Sequence, residues 1–141
     1  RRMYAAASCY SCHRFNGEGG AVGPDLTGLG GRFSKRDLLR AIVKPNAAIS
    51  SQYQSHIIKM EDGKTFMGRI LGESEGKLTI ANNPMDPEAT VQVAADNIKS
   101  QQPAPVSLMP PGLLNTLNRE EALDLFAYLL SGGNKESEMF D

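Results

Sequence analysis

The chain has 141 residues, 40% of them hydrophobic and 22% charged, a balance that supports one compact domain with a modest core and argues against disorder. Its 15 Lys and Arg face 16 Asp and Glu, a formal charge of −1, which argues against a nucleic-acid binder because such domains carry a basic excess that replaces phosphate counterions. The near-neutrality hides an asymmetry: residues 1–52 hold eight basic and three acidic side chains, residues 53–106 five and seven, and residues 107–141 two and six.

No apolar run approaches the roughly 18 residues that span a bilayer, the longest candidate being residues 125–130. The given sequence opens on Arg1-Arg2-Met3 without a basic-then-apolar leader, so either a signal peptide has been removed or the domain was cut from a longer polypeptide, and the second is expected because Arg1-Arg2-Met3 looks like the inside of a chain. The 14 Gly and 8 Pro are spread through turns, so neither an internal linker nor a repeat shows.

Met3, Tyr4 and the Ala run after them read as a helix over residues 1–8. It leads into Cys9-Tyr10-Ser11-Cys12-His13, which contains the only two cysteines of the chain. This is the attachment pattern of c-type haem. Two thiols one helical turn apart can add to the two vinyl groups along one porphyrin edge, and the adjacent imidazole then supplies the proximal iron ligand. Three other readings compete. A thioredoxin-like pair needs a strand before the motif and a βαβ setting. A structural zinc site needs a fourth ligand, and the one remaining histidine is His56. A disulfide across two intervening residues is strained and closes almost no loop. Tyr10 and Ser11 have no assignable chemistry.

A six-coordinate haem needs a distal ligand, and the chain offers Met3, Met60, Met67, Met85, Met109, Met139 and His56. Context selects Met109. In Ser107-Leu108-Met109-Pro110-Pro111-Gly112 two prolines hold the backbone extended and remove competing amide donors, so a soft thioether is presented from a rigid loop. The other methionines read as core fillers. His56, in a stretch of period two, reads as a strand or turn residue, with bis-His ligation as the alternative.

Gly23-Pro24-Asp25-Leu26-Thr27-Gly28-Leu29 follows the cysteine motif closely. The order CxxCH, then a Gly-Pro-x-Leu-x-Gly loop, then a Met-Pro loop before a C-terminal amphipathic helix resembles class I cytochromes c. The wording GPDLTGLGGRFSKRDLLRAIVKPNAAIS and SLMPPGLLNTL…DLFAYLLS is similar, more closely, to the haem-binding domain appended to large dehydrogenases of planctomycete and verrucomicrobial bacteria. That resemblance implies a mainly α cytochrome c fold with an inserted small antiparallel β unit, α+β overall. It also implies one covalent haem c, with the Pro24 carbonyl accepting the Nδ1–H of His13 and so orienting the ring.

Ser34, with Asp37 three residues on, caps a helix carrying Leu38, Leu39, Ile42 and Val43 that stops at Pro45, with Arg36 and Arg40 on its solvated face. Asn118 and Glu121 open a second helix in which Ala122, Leu125, Phe126, Leu129 and Leu130 recur at helical spacing before Gly132. Met3, Tyr4 and Ala7 are expected to meet Leu125, Phe126 and Leu129. Between these helices, residues 53–106 read as β: runs at 53–60, 65–71, 78–81 and 91–93, with turn signals at Asp62-Gly63-Lys64 and Glu75-Gly76-Lys77. Three to five short strands are expected, in a small antiparallel sheet packed on the helical core of residues 1–52 and 107–141. Two purposes fit it: a cover over one haem edge, or a docking surface for a partner domain.

Haem propionates, being anionic, are expected to meet Arg32, after a Gly-rich turn, and Tyr53, at the start of the β stretch. Leu26, Leu29 and the C-terminal helix are expected to bury the ring and, with methionine ligation, to raise its potential. No paired carboxylates, nucleophile with a base, or Rossmann glycine pattern with its strand and acidic partner is present. The expected function is electron transfer between redox partner proteins, a dehydrogenase domain as donor and another cytochrome or an oxidase as acceptor. The expected location is periplasmic or extracytoplasmic. A haem sensor or weak peroxidase with a labile Met109 is the alternative, and a free diffusible cytochrome a third reading.

Overall fold

In the computed structural model, which describes residues 1–83, 86 and 88–140, the chain divides into two compact units. The first comprises residues 1–47 and 109–141, the second residues 48–108.

The first unit opens with α1 (Arg2–Ala6), which stops where Ser8 turns into the left-handed region at φ 60°. The helix expected over residues 1–8 is thus present but stops at Ala6, and α2 (Cys9–Cys12) starts afresh as one isolated turn. A hairpin follows, β1 (Arg14–Phe15) against β2 (Glu18–Gly19), joined by Asn16-Gly17 with both residues at positive φ. That two-residue Asn-Gly loop is the strongest local hairpin signal a sequence carries, and the hairpin went unread because the strands are only two residues long.

A 3₁₀ turn over Leu29–Gly31 precedes α3 (Lys35–Val43), where the Ser34 hydroxyl accepts the amide of Asp37 at 3.1 Å as expected. After a 3₁₀ turn over Leu113–Thr116 comes α4 (Arg119–Leu130), with a complete capping box: Asn118 accepts from the Glu121 amide and the Glu121 carboxylate accepts from that of Asn118. Met3, Tyr4, Ala7, Cys9, Phe15, Leu29, Leu38, Ile42, Leu125 and Leu129 form one buried cluster, with Leu26, Met109 and Phe126 packed at its edge. This is the expected packing of the first helix on the last, and each fully buried leucine contributes about 2 kcal/mol.

The second unit is a five-stranded antiparallel sheet in the order β6-β5-β4-β3-β7, built from β3 (Ser55–Met60), β4 (Thr65–Ser74), β5 (Lys77–Ala81), β6 (Thr90–Ala94) and β7 (Ile98–Pro103). Successive hairpins connect β3 to β6, and β7 then returns to the free side of β3. Its core is Ile58, Met60, Leu78, Ile80 and Val93 on one face. Strand β7 was not expected because Ile98-Lys99-Ser100-Gln101-Gln102 has one apolar residue: as an edge strand with a largely exposed surface it needs no alternation.

Among the described residues the strands hold more of the chain than the α-helices, so "mainly α" overstates the helical share. The reason is local. Two of the four helices are five residues or shorter, and much of the first unit is loop and 3₁₀ turn fixed by backbone hydrogen bonds. Met85 lies outside the described residues.

Gly30 packs so closely on the end of α4 that a Cβ there would overlap the carbonyl oxygen of Leu130, whereas a Cβ on Gly31 meets nothing. Gly30→Ala should therefore cost about 2 kcal/mol of stability or more and Gly31→Ala less than about 1 kcal/mol, read as shifts of the urea midpoint by circular dichroism.

Candidate functional site

The cysteine turn is held from both ends. The left-handed Ser8 begins it, His13 ends it in extended conformation, and the His13 amide closes it on the Cys9 carbonyl at 2.9 Å. Both thiols are free, one helical turn apart, with Cys9 buried and Cys12 half-buried. Burial pushes the Cys9 thiol up to about 11. The element before the turn is a helix and not a strand, so a thioredoxin-like setting is absent here.

Loop residues 20–29 then fold back along the motif. The amide of Gly20 donates to the Tyr10 carbonyl at 2.9 Å, that of Gly23 to the Cys12 carbonyl at 2.8 Å, and that of Leu26 to the Arg14 carbonyl at 2.9 Å. This approach excludes side chains. A Cβ on Gly19 or Gly20 would overlap the carbonyls of His13 and Ser11, and one on Gly23 would stand 2.5 Å from Cε1 of the His13 ring. The loop delivers the Pro24 carbonyl to Nδ1 of His13 at 2.7 Å. A carbonyl only accepts, so Nδ1 carries the proton and, in the neutral ring, Nε2 carries the lone pair.

The carbonyl is itself braced. Asp25 Oδ1 accepts the Thr27 amide at 2.8 Å, Thr27 Oγ1 accepts the Asn16 amide at 2.8 Å, and the Arg32 guanidinium donates to the carbonyls of Asp25 and Thr27, both at 3.2 Å. On the other side, Tyr4 donates its hydroxyl to the His13 carbonyl at 2.8 Å, and burial raises its phenol well above the ordinary range.

Cys9, Cys12, His13, Pro24, Leu26, Leu29, Arg32 and Met109 thus all belong to the first unit, and Cys9, Leu26, Leu29 and Met109 share its apolar cluster. Tyr53 belongs to the second unit, where the Arg69 guanidinium lies over its ring at 5.3 Å. His56 lies in β3 opposite Gly68 and Pro103, with a buried Nδ1 that has no hydrogen-bond partner among the described residues. Of the remaining methionines Met3 and Met60 are buried core residues, while Met67 and Met139 are exposed. Gly19, Gly20 and Asn16 went unread at sequence level, Gly23 was read only as part of the Gly-Pro loop, and Tyr4 only as a helix-packing residue. The spacing of the three glycines just behind the histidine was the available signal.

The sequence model of the cytochrome c family matches residues 1–81. The chain belongs to the cytochrome c family. Its members bind covalent c-type haem, and Cys9 and Cys12, with His13 behind them, stand as the attachment motif of that haem. The family supports electron transfer through the haem iron, with redox proteins as partners. Comparison with individually curated proteins gave no significant match. No helix among the described residues is long and apolar enough to cross a membrane.

The Thr27 hydroxyl and amide hold the Asp25 carboxyl below the ordinary carboxylate range. A depressed folded value contributes stability that is present above the unfolded value, about 3.8, and is lost as pH falls through the folded one. Asp25→Asn keeps an acceptor for the Thr27 amide but does not titrate. Its urea midpoint should therefore fall less steeply than that of the wild type as pH is lowered below about 4.

Proposed function

We propose that this chain relays single electrons through a haem c ligated by His13 and Met109, from a fused or partner dehydrogenase to another cytochrome or an oxidase. The observation that carries the reading is the 2.7 Å contact of His13 Nδ1 with the Pro24 carbonyl. It holds the ring in one tautomer and one orientation with Nε2 available, directly behind two free thiols on one turn, and it is this combination with the thiols that a proximal haem ligand requires. The two thiols would hold the group by adding S–H across its vinyl groups, and Leu26 and Leu29 would supply an apolar wall.

Met109 falls beyond the matched residues, so its role rests on placement. It packs against the cluster that holds Cys9 and Leu29, from a loop in which Pro110 and Pro111 lack amide donors. A bound haem would supply ferric–ferrous exchange without making or breaking a bond. With both His13 and Met109 engaged, the iron would offer no open position to oxygen or peroxide, which favours relay over peroxidase chemistry. Arg32, with two carbonyls already engaged, retains donors for a propionate, and Tyr53 is kept as a second candidate.

The proposal extends to context. The β stretch of residues 53–106 is read as an insertion in a cytochrome c core, serving as haem cover or partner surface. The location is read as periplasmic or extracytoplasmic, because covalent attachment needs a dedicated machinery outside the bacterial cytoplasm. The resemblance to dehydrogenase-appended haem domains supports the donor.

The test is Met109→Ala beside Met67→Ala in haem-loaded protein. The wild type and Met67→Ala should show the weak far-red band of sulfur-ligated ferric haem. Met109→Ala should lose it, with the potential falling by on the order of 0.1 V, within the roughly 0.8 V that axial ligands span. A wild type without the band, or an unchanged Met109→Ala spectrum, would exclude Met109 and leave His56 or an open site.

A further inference from the structure

The uneven charge along the sequence becomes two opposed helix faces within the first unit. On α3, Leu38 and Ile42 point into the core while Leu39 and Val43 are left 46% and 49% exposed. At 100° per residue these two lie on one stripe with Lys35, Arg36 and Arg40, and Lys44 extends the basic edge past the helix end. All four cations are exposed, and the one acid of the helix, Asp37, is bonded to the Ser34 hydroxyl at the cap.

The exposed face of α4 has the same form and the opposite sign. Leu125 and Leu129 are buried, whereas Leu123 is 58% exposed, the most open large apolar side chain of the described residues. Glu120, Asp124 and Ala127 share its stripe, with Arg119 at the N-terminal edge. Among the described residues the ion pairs are Arg1–Glu18 and Lys64–Asp62, and the N-terminal ammonium lies within electrostatic reach of Asp124 without pairing with it, so both faces keep most of their charge. Each stripe is an apolar strip beside unpaired charge, and the two match in length, about two helical turns.

We propose that α3 of one copy docks on α4 of a second copy of this chain, Leu39 and Val43 against Leu123 and Ala127, with Arg36 and Arg40 facing Glu120 and Asp124. Nothing in this inference depends on the haem ligands. A contact of this size is a weak, salt-sensitive association, weakening as screening grows.

The test uses the haem-loaded full chain in sedimentation velocity over a concentration series at low and high salt. Two charge-reversed variants are prepared: Arg36→Glu with Arg40→Glu, and Glu120→Lys with Asp124→Lys. Neither pair touches the cysteine motif, the Pro24 loop or the Glu121 cap, and an unchanged haem spectrum with an unchanged far-UV spectrum certifies their fold. Wild-type association should weaken at high salt, and each variant alone should associate about tenfold more weakly or worse. Mixed in equal amounts, the two variants should associate at least as well as wild type, because at the reversed positions each variant meets charges of opposite sign on the other. A wild type that stays monomeric at about millimolar concentration, or a mixture that sediments as the sum of its parts, overturns the proposal.

Discussion

The cysteine turn and the loop behind it are arranged around one hydrogen bond, from Nδ1 of His13 to the carbonyl of Pro24. A side-chain acceptor could swing away. A backbone carbonyl moves only if its loop moves, and this loop is tied to the cysteine turn at Tyr10, Cys12 and Arg14 and braced again by Asp25, Thr27 and Arg32. The ring therefore inherits, through a single contact, the rigidity of the backbone bonds that tie the loop to Tyr10, Cys12 and Arg14. The cost falls on sequence: Gly19, Gly20 and Gly23 cannot carry a side chain, because carbonyls and the imidazole already occupy the space where Cβ would stand.

The same constraint explains why the helix that precedes the motif is broken. A continuous helix through residue 13 would keep His13 helical and aim its side chain along the cylinder beside Cys9 and Cys12. The left-handed turn at Ser8 and the extended backbone at His13 isolate a single helical turn instead, so the thiols keep helical spacing while the imidazole leaves the helix. Tyr4 takes the His13 carbonyl, which the end of so short a helix would otherwise leave unsatisfied, and in doing so fastens α1 to the motif. Its ring also meets Phe15 and Tyr128, at 5.7 and 5.9 Å between centroids, so that one side chain links motif, hairpin and C-terminal helix.

How much of this a sequence shows depends on whether the information is local. The caps at Ser34 and Asn118 were legible because capping is set by residues three apart, and the strands at β3 to β6 because alternation and Gly turns are short-range. The cysteine motif was legible because its chemistry fixes its spacing. Gly19 and Gly20 were not read, and Gly23 was read only as part of the Gly-Pro loop. Their need for space comes from carbonyls and a ring folded over them, which only the closed loop reveals. Arg32 was read from its charge, whereas its geometry also makes it a brace for the loop carbonyls. Strand β7 escaped because an edge position relaxes the very alternation by which strands are recognised.

The chemistry of the surroundings then follows from what the cluster leaves out. Its ten buried members include no carboxylate, amine or guanidinium, and the polar group among them, the Tyr4 phenol, is committed to a backbone carbonyl. The Cys9 thiol gauges that environment from inside: burial is the largest cause of its rise to about 11, meaning that a charge at this position is poorly solvated. The penalty applies to either sign. Under the proposed ligation by two neutral donors, His13 and Met109, the form of the iron centre with the smaller net charge is the one such a pocket favours, and that is the reduced one. An apolar cluster assembled to close a helical core would, under that ligation, also bias the redox equilibrium, so that packing and potential would share the same side chains.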